Sequence, residues 1–275
     1  MKYSPKEMNN ILNENDFNFK KKFGQNFIVD ENIINSIITK SNIDKDTLVI
    51  EIGPGAGSLT NKLAENAGYV LAYEIDTTLK NILDNTMSKY ENYEIVYEDF
   101  LKTNVKEKLN NLNYQKVYVV ANLPYYITTP IITKIIEDEL GVDKIVVMVQ
   151  KEVGNRFKAS PGSKDYGSLT IYLNYYFSIR KLIDVSKNVF IPKPNVDSIV
   201  VEFTKKNVNK TVNDKELFFK LVRDSFKQKR KTLKNNLDNY DLEKVNEILN
   251  KYNHDLSVRA ENISIDEFID ISNNL

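Results

Sequence analysis

The 275-residue chain is electrically balanced, with 38 Lys and Arg against 38 Asp and Glu, and its hydrophobic fraction of 41% excludes intrinsic disorder for most of its length. With no Cys and a single His, His254, disulfides, thiolate metal sites and a cysteine nucleophile are excluded, and we expect no metal. No apolar run approaches the roughly 20 residues that cross a bilayer, and no hydrophobic signal region opens the chain. We therefore expect a soluble, cytoplasmic protein without a membrane partner.

The first predicted elements are two helices. The segment from Ser4 to Glu7 is a capping box with Pro at the first helical position, which predicts a helix to about residue 15. Asp30 can cap a second helix, in which isoleucines between positions 33 and 38 share one face. The sequence therefore places helices before the first strand.

From Thr47 onward, β-branched runs alternate with helical patterns, which predicts a parallel sheet with helices on both faces. The predicted strands are 47–52, 69–75, 93–97, 116–121 and 144–149, with 179–185 and 196–203 as a further, antiparallel pair. Beyond residue 204 only helices are predicted, at 215–237, 242–252 and 265–271. We thus expect three parts: an N-terminal helix and basic arm (1–25), an α/β domain (26–204) and a small helical domain (205–275).

Polar or flexible residues follow three successive predicted strands. Gly53, Gly55 and Gly57 let the backbone turn tightly beside a ligand, but their spacing differs from dinucleotide and phosphate-loop motifs. Glu74 is either a solvated strand-end carboxylate or an acceptor for both ribose hydroxyls of a nucleoside cofactor. Asp99 could accept a hydrogen bond from an adenine amino group. Together these residues describe a pocket for S-adenosylmethionine.

The segment Asn122-Leu123-Pro124-Tyr125 follows the fourth strand. An aromatic amino group is a poor nucleophile because its lone pair is delocalised into the ring. The Asn122 side-chain oxygen and the Leu123 carbonyl, freed by Pro124, can both accept hydrogen bonds from such an amine and direct its lone pair. Tyr125 supplies a ring on which an extruded base can stack. Alone the segment could be an Asx-Pro turn; its place beside a cofactor pocket favours a catalytic role.

In these motifs the sequence resembles the small-subunit ribosomal RNA adenine dimethyltransferases, which use S-adenosylmethionine to convert two adjacent adenosines to N6,N6-dimethyladenosine. The resemblance covers nearly the whole chain. The matching stretches are 22–27, 51–57, 73–76, 122–125, 150–153, 161–164, 166–167, 190–198 and 259–262. It implies a Rossmann-like, doubly wound, seven-stranded methyltransferase sheet with a small C-terminal all-α domain.

The resemblance also implies roles for individual residues. Asn26 and Ile28 would close over the methionine end of the cofactor, although the family usually has Leu in place of Ile28 and Arg in place of Thr77. The implied cofactor-binding residues are Asn26, Ile28, Gly53, Gly55, Glu74, Asp99 and Asn122. The implied catalytic residues are Asn122, Leu123, Pro124 and Tyr125, with Tyr125 and Phe190 as the two faces that stack on the base.

The zero net charge is a cancellation between regions. Segment 205–234 holds eleven basic residues against three acidic ones, whereas 238–275 holds nine acidic against three basic. Such runs are commonly solvated helix faces, but their positions favour contact with RNA phosphates. The predicted RNA-binding residues are Lys20, Lys21, Lys22, Lys227, Lys229, Arg230, Lys231 and Lys234. We expect RNA to lie across these two basic regions and over the strand ends, and the acidic terminal helices to face away.

Two alternatives stay open at this point. A non-catalytic RNA-binding assembly factor could share the fold, although the intact Asn122, Glu74 and Asp99 speak against it. Related enzymes that methylate large-subunit RNA and confer antibiotic resistance share the catalytic half, but segments 226–235 and 259–263 resemble the small-subunit family. The expected partner is small-subunit rRNA within a pre-assembled subunit, bound by a monomer with a role in subunit biogenesis.

Overall fold

The computed structural model describes residues 4–124, 127–206 and 210–275, except for the side chain of Lys21. The chain forms two compact units. The first comprises Met1–Gly154 with Arg180–Thr204, and the second comprises Asn155–Ile179 with Lys205–Leu275. The segment 155–179, which the sequence pattern grouped with the α/β domain, thus belongs to the helical unit.

The strands of the described residues are β1 (Phe27–Ile28), β2 (Thr47–Ile52), β3 (Tyr69–Tyr73), β4 (Tyr93–Val96), β5 (Lys116–Asn122), β6 (Lys144–Gln150), β7 (Phe177–Val185), β8 (Phe190–Ile191) and β9 (Ser198–Lys205). The α-helices are α1 (Pro5–Glu14), α2 (Glu31–Ser41), α3 (Ser58–Asn66), α4 (Lys80–Met87), α5 (Val105–Leu109), α6 (Thr128–Glu137), α7 (Lys151–Phe157), α8 (Ser168–Tyr176), α9 (Lys215–Ser225), α10 (Leu233–Asn236), α11 (Leu242–Asn250) and α12 (Ile265–Asn274).

Seven strands form one sheet in the order β4-β3-β2-β5-β6-β9-β7. The five strands from β4 to β6 pair in parallel, and β9 joins antiparallel to β6, so the predicted doubly wound α/β sheet is confirmed. Strand β2, the middle one of the five parallel strands, is buried at every position, as is typical of a strand covered on both faces. Two short elements that the sequence pattern did not predict, β1 and β8, form a separate antiparallel ladder.

The register of the parallel strands determines which residues meet at the edge of the sheet. Ile52, the last residue of β2, pairs with Tyr73 of β3 on one side and with Ala121 of β5 on the other. The residues that follow these strands, including Gly53 and Glu74, are therefore neighbours in space. This edge, outside the carboxyl ends of the strands, is where ligands of such sheets bind.

The N-terminal helix is anchored by its own cap and by its apolar face. The Glu7 amide donates to Ser4 Oγ at 3.2 Å, and the Ser4 amide donates to Glu7 Oε2 at 2.9 Å, which is the predicted capping box. Met8 and Leu12 are buried in a cluster that includes the ring of Phe27. Residues 16–28, here called the arm segment, lead from this helix into β1.

The second unit has its own core, formed by helices α8 to α12. The single helix predicted over 215–237 is wrong, because α9 ends at Ser225 and α10 starts only at Leu233. Asn236 stabilises the break: its Nδ2 donates to the Ser225 carbonyl at 2.7 Å, and its Oδ1 accepts from the Gln228 amide at 3.2 Å. Like charges at helical spacing within the intervening basic run also disfavour a continuous helix.

None of the helices in the described part of the chain combines the length and the apolar character needed to cross a bilayer.

Candidate active site

A cavity of about 350 Å³ lies at the carboxyl ends of β2, β3 and β5, within the size range of small-molecule sites. It is lined by every described residue of the predicted cofactor-binding and catalytic sets, namely Asn26, Ile28, Gly53, Gly55, Glu74, Asp99, Asn122, Leu123 and Pro124. Tyr125, predicted to stack on the base, lies outside the described residues. All the lining residues belong to the first unit.

The turn after β2 needs glycine for two different reasons. At Gly53 φ is +74° and a Cβ would have no atom within 4 Å, so this backbone borders open space in the cavity. At Gly55 φ is +58° and a Cβ would stand 2.7 Å from the Phe27 ring. The turn is thus open on the cavity side and tightly packed against β1.

The Glu74 carboxylate, only 4% exposed, is held by two backbone amides. Its Oε1 accepts from the Asp76 amide at 2.8 Å, and its Oε2 accepts from the Gly55 amide at 3.1 Å. Each carboxylate oxygen retains a second lone pair, so both can also accept a hydroxyl. Burial raises the pKa of Glu74 to about 7, even though these backbone hydrogen bonds act in the opposite direction.

Glu51 is a cavity-lining carboxylate that the sequence pattern did not single out. It lies within β2, is 1% exposed, and its Oε2 has no hydrogen-bond partner in the described part of the chain. Burial raises the pKa of Glu51 to about 8. The available signal was an acidic residue inside an otherwise apolar strand, which indicates a functional or paired group rather than plain core.

Asp99 lies three residues beyond the end of β4, in the turn that follows, rather than at the strand end itself. Its Oδ1 accepts from the Leu101 amide at 3.0 Å, and 29% of its side chain is exposed. This local bond fixes the carboxylate at the cavity wall, where a second lone pair of each oxygen can accept a hydrogen bond.

Asn122 is the last residue of β5, and its amide is held by the arm segment. Nδ2 donates to the backbone oxygen of Asn26 at 2.7 Å. With Nδ2 engaged, Oδ1 is the atom of this amide that can accept a hydrogen bond from an amine. The Leu123 side chain beside it is 2% exposed and anchors the turn in the core. The structure therefore provides an oriented acceptor at the cavity wall.

Two predicted contacts are not in the expected environment. Phe190 is not an exposed stacking face: its ring is 4% exposed and packs in the hydrophobic core, and its backbone pairs with Ile28. Lys20, predicted to meet RNA, donates instead to Asp76 Oδ1 at 2.6 Å. Both differences arise from partners distant in sequence.

Of the other two arm lysines, Lys22 is exposed with its ammonium 4.6 Å from the centre of the Phe23 ring, and the Lys21 side chain is not described.

The remaining predicted RNA contacts are in the second unit, where all are exposed: Lys227, Lys229, Arg230, Lys231 and Lys234. In the part of the chain that the structure describes, none of the five forms an ion pair with a carboxylate. The Lys229 ammonium donates to the Lys164 carbonyl at 2.7 Å. Four of the five, at 227 to 231, fall in the connection between α9 and α10, here called the basic turn.

Comparison with known proteins identifies the chain. Residues 16–275 match the family model described as ribosomal RNA adenine dimethylase. The chain belongs to this family. It is 47% identical over 274 residues to the ribosomal RNA small subunit methyltransferase A of Staphylococcus aureus, covering 96% of this chain and 92% of the relative. The cofactor of the ribosomal RNA adenine dimethylase family is S-adenosylmethionine.

Two solved structures share the fold of this chain, and the first also agrees with membership of the ribosomal RNA adenine dimethylase family. A dimethyladenosine transferase from Plasmodium falciparum superimposes with a TM-score of 0.74 at 26% identity, over 89% of this chain and 95% of that one. The 23S rRNA methyltransferase ErmE superimposes with a TM-score of 0.71 at 23% identity, over 90% and 99%. The second likeness concerns the fold alone.

The cavity fits the family's cofactor. The buried Glu74 carboxylate keeps two lone pairs for ribose hydroxyls, and Gly53 leaves space for a ligand against the backbone. Glu51 Oε2, which has no hydrogen-bond partner in the described residues, provides a further buried polar atom for a ligand, as a donor when Glu51 is protonated and as an acceptor otherwise. In the described residues, by contrast, no group of three or more His, Asp or Glu side chains is placed to hold a metal ion.

Proposed function

We propose that this protein dimethylates, at N6, two adjacent adenosines in a loop of small-subunit (16S) ribosomal RNA, using S-adenosylmethionine. The observation that carries the proposal is the Asn122 amide, whose Nδ2 is fixed by Asn26 so that Oδ1 is left as an acceptor at the wall of the cofactor cavity. The 47% identity to a small-subunit methyltransferase supports the choice of subunit.

The chain's own residues would hold the cofactor in the following way. Glu74 accepts the ribose hydroxyls, Asp99 accepts from the adenine amino group, and Gly53 lets the backbone approach the methionine portion, while the Gly55 amide holds the Glu74 carboxylate. Asn26 and Ile28 close the wall on the arm side. When bound, S-adenosylmethionine supplies an electrophilic methyl group attached to a sulfonium.

The target base is bound by residues 122–125. Asn122 Oδ1 and the Leu123 carbonyl accept hydrogen bonds from the two N–H groups of the adenine amine. These bonds shift electron density onto the amine nitrogen and turn its lone pair out of conjugation with the ring. Tyr125 stacks on the extruded base. No general base is needed before transfer, since the amine becomes cationic only as the new C–N bond forms and can then lose its proton to water.

We further propose that the enzyme acts as a monomer on a pre-assembled small subunit and contributes to subunit biogenesis. The exposed basic turn supplies the charge for phosphate contacts, together with Lys22 and Lys234. Because its substrate is ribosomal, we place its action in the cytoplasm. A purely non-catalytic assembly role would leave the arrangement of Glu74 and Asn122 without a purpose.

The test is incubation of the protein with labelled S-adenosylmethionine and either small or large ribosomal subunits that lack the modification, followed by nucleoside analysis. We expect labelled N6,N6-dimethyladenosine in the small-subunit RNA alone. Label in the large-subunit RNA would overturn the assignment of the substrate. Binding to small subunits without any label would favour the assembly-factor alternative.

A further inference from the structure

Asp76 lies just beyond the ribose-side residue Glu74, and its side chain is only 1% exposed. It accepts four hydrogen bonds: from Lys20 Nζ at 2.6 Å, Gln25 Nε2 at 2.8 Å, and the amide and hydroxyl of Thr78 at 3.1 and 2.7 Å. Two of these donors belong to the arm segment, more than 50 residues earlier in the chain. The carboxylate therefore ties the arm segment to the end of β3.

The two arm donors also brace each other. The Lys20 amide donates to Gln25 Oε1 at 2.9 Å, and Lys20 Nζ reaches Thr78 Oγ1 at 2.9 Å. Burial alone would raise the pKa of Asp76, yet the hydrogen bonds from Lys20, Thr78 and Gln25 hold that pKa below its usual range. The carboxylate is therefore charged, and charge-assisted hydrogen bonds of this kind are the strong ones.

The connection continues from Asp76 towards both halves of the active site. On one side, the Asp76 amide donates to Glu74 Oε1, the proposed ribose acceptor. On the other side, Gln25 precedes Asn26, whose backbone oxygen accepts from Asn122 Nδ2. Asn26 is itself held by a bond from its Nδ2 to the Gly24 carbonyl at 3.0 Å. A path of hydrogen bonds and covalent backbone links thus joins Glu74 to Asn122 through Asp76, Gln25 and Asn26.

We propose that Lys20, Gln25 and Asp76 form a clasp that holds the arm segment over the cofactor cavity and so positions Asn26, and through it Asn122, for transfer. The residues of the clasp are positioning residues, because they act through Asn26 and Glu74. The part of this inference that concerns Asn122 rests on the proposed function. The part that concerns closure of the cavity by the arm segment does not. It also gives Lys20 a role different from the phosphate contact that its charge run predicts.

An unclasped arm lowers the fraction of molecules competent to bind the cofactor, and the apparent affinity falls by the same factor. Loss of a charge-assisted hydrogen bond to a buried carboxylate predicts that Lys20→Met weakens S-adenosylmethionine binding about tenfold. Lys20→Arg, which keeps the charge and a donor, should restore most of the affinity. In an Asp76→Asn background, Lys20→Met should add little further loss, because its partner charge is already absent.

The experiment titrates S-adenosylmethionine into each variant without RNA and, separately, measures the affinity for small subunits at several salt concentrations. Lys6→Met is the matched control, since Lys6 is an exposed lysine in α1. We expect Lys20→Met to lower cofactor affinity while subunit affinity and its salt dependence stay near those of the control. The melting temperature should fall, because Asp76 loses a charged partner, and the cofactor titration is therefore run well below it. If Asp76→Asn fails to fold, Lys20→Met and Lys20→Arg decide alone.

Two results would overturn the clasp: unchanged cofactor affinity in Lys20→Met, or additive effects of the two substitutions. A loss of subunit affinity with a flatter salt dependence, and no cofactor effect, would return Lys20 to the RNA surface. Because cofactor titration uses no RNA, its result stands whether or not the protein methylates small subunits. Failure of the clasp and failure of the proposed substrate are therefore separable.

Discussion

Asn122 donates from Nδ2 to the backbone oxygen of Asn26 across 2.7 Å, so the acceptor proposed for the target amine is oriented by a residue 96 positions earlier in the chain. The bond leaves Oδ1 as the acceptor and fixes where it can stand. The arm segment therefore orients the proposed acceptor at the end of β5, although the residues proposed to bind the target base, 122–125, lie outside it.

The first prediction concerns Asn122→Ala. Removing a positioned hydrogen-bonding group that acts in the transition state costs about 100-fold or more in rate, so single-turnover methyl transfer at saturating cofactor should fall by at least that factor. The affinity for S-adenosylmethionine, measured by titration without RNA, should fall by a much smaller factor, because the lost bond to the Asn26 backbone oxygen is only one of the contacts that hold the arm segment. Asn239→Ala, at an exposed Asn, is the control. An equal loss of rate and cofactor affinity would show that Asn122 serves the cofactor instead.

A second prediction compares Gly53→Ala with Gly141→Ala. The two glycines have φ of +74° and +68°, and at neither would a Cβ meet an atom within 4 Å. Both substitutions should therefore lower the free energy of unfolding by a similar amount, about 1–2 kcal/mol, from backbone strain alone. Only Gly53 lines the cavity, so only Gly53→Ala should weaken S-adenosylmethionine binding, by about tenfold or more.

Chemical denaturation measures the effect of each glycine substitution on stability, and cofactor titration measures its effect on binding. Equal cofactor affinity in the two variants would contradict the placement of the methionine portion against Gly53.

The third prediction is the pH dependence of stability. The pKa of Glu51 is about 8 in the folded protein against a usual value of 4.5, so between these pH values the folded state holds a proton that the unfolded state has released. The contribution of Glu51 to the free energy of unfolding then decreases as pH rises from about 4.5 towards 8. Glu51→Gln removes this contribution, which is on the order of a few kcal/mol.

The measurement is the free energy of unfolding of cofactor-free protein at pH 5 and at pH 8. The free energy of unfolding of Glu51→Gln, relative to that of the wild type, should increase as pH rises. That of Glu14→Gln, which changes an exposed carboxylate, should not. Glu74 also makes the free energy of unfolding decrease as pH rises to about 7, and it does so in both the wild type and Glu51→Gln. A difference between wild type and Glu51→Gln that is independent of pH would argue against a protonated Glu51.

The fourth prediction concerns the basic turn. Replacing Lys229, Arg230 and Lys231 together by Gln should weaken binding to small subunits. The slope of log affinity against log salt should become shallower by about one for every RNA phosphate that these side chains neutralise in the wild type. A triple replacement of exposed lysines elsewhere in the same unit, at Lys215, Lys244 and Lys251, is the control for net charge. If both triple variants shift the slope equally, the basic turn does not bind RNA specifically.

Local patterns were sufficient to predict the sheet and most of the cavity. The β-branched run 47–52, the glycines after it and Glu74 each lie where a short sequence window places them, because parallel strands carry their carboxyl ends to one edge. The capping box at Ser4 and Glu7 was likewise readable from four residues. These features depend on neighbours in sequence.

The features that the sequence did not yield depend on distant partners. Lys20 belongs to a charge run, and nothing near it in sequence shows that Asp76 pairs with it. The burial of Phe190 follows from its pairing with Ile28, and strands of only two residues leave no recognisable pattern in the sequence. The break of the helix after Ser225 depends on the Asn236 side chain folding back onto it. In each case a tertiary contact outweighs the local pattern.

The short ladder between β1 and β8 has a consequence for biosynthesis. Phe27 pairs with Ile191 and Ile28 with Phe190, so one wall of the cavity is held by a segment that is synthesised more than 160 residues later. A nascent chain can build β2 to β5 and their glycine turn well before this wall has its partner. Contacts of such long sequence separation form late in folding. The ladder that holds this wall of the cavity can therefore form only after translation has passed residue 191.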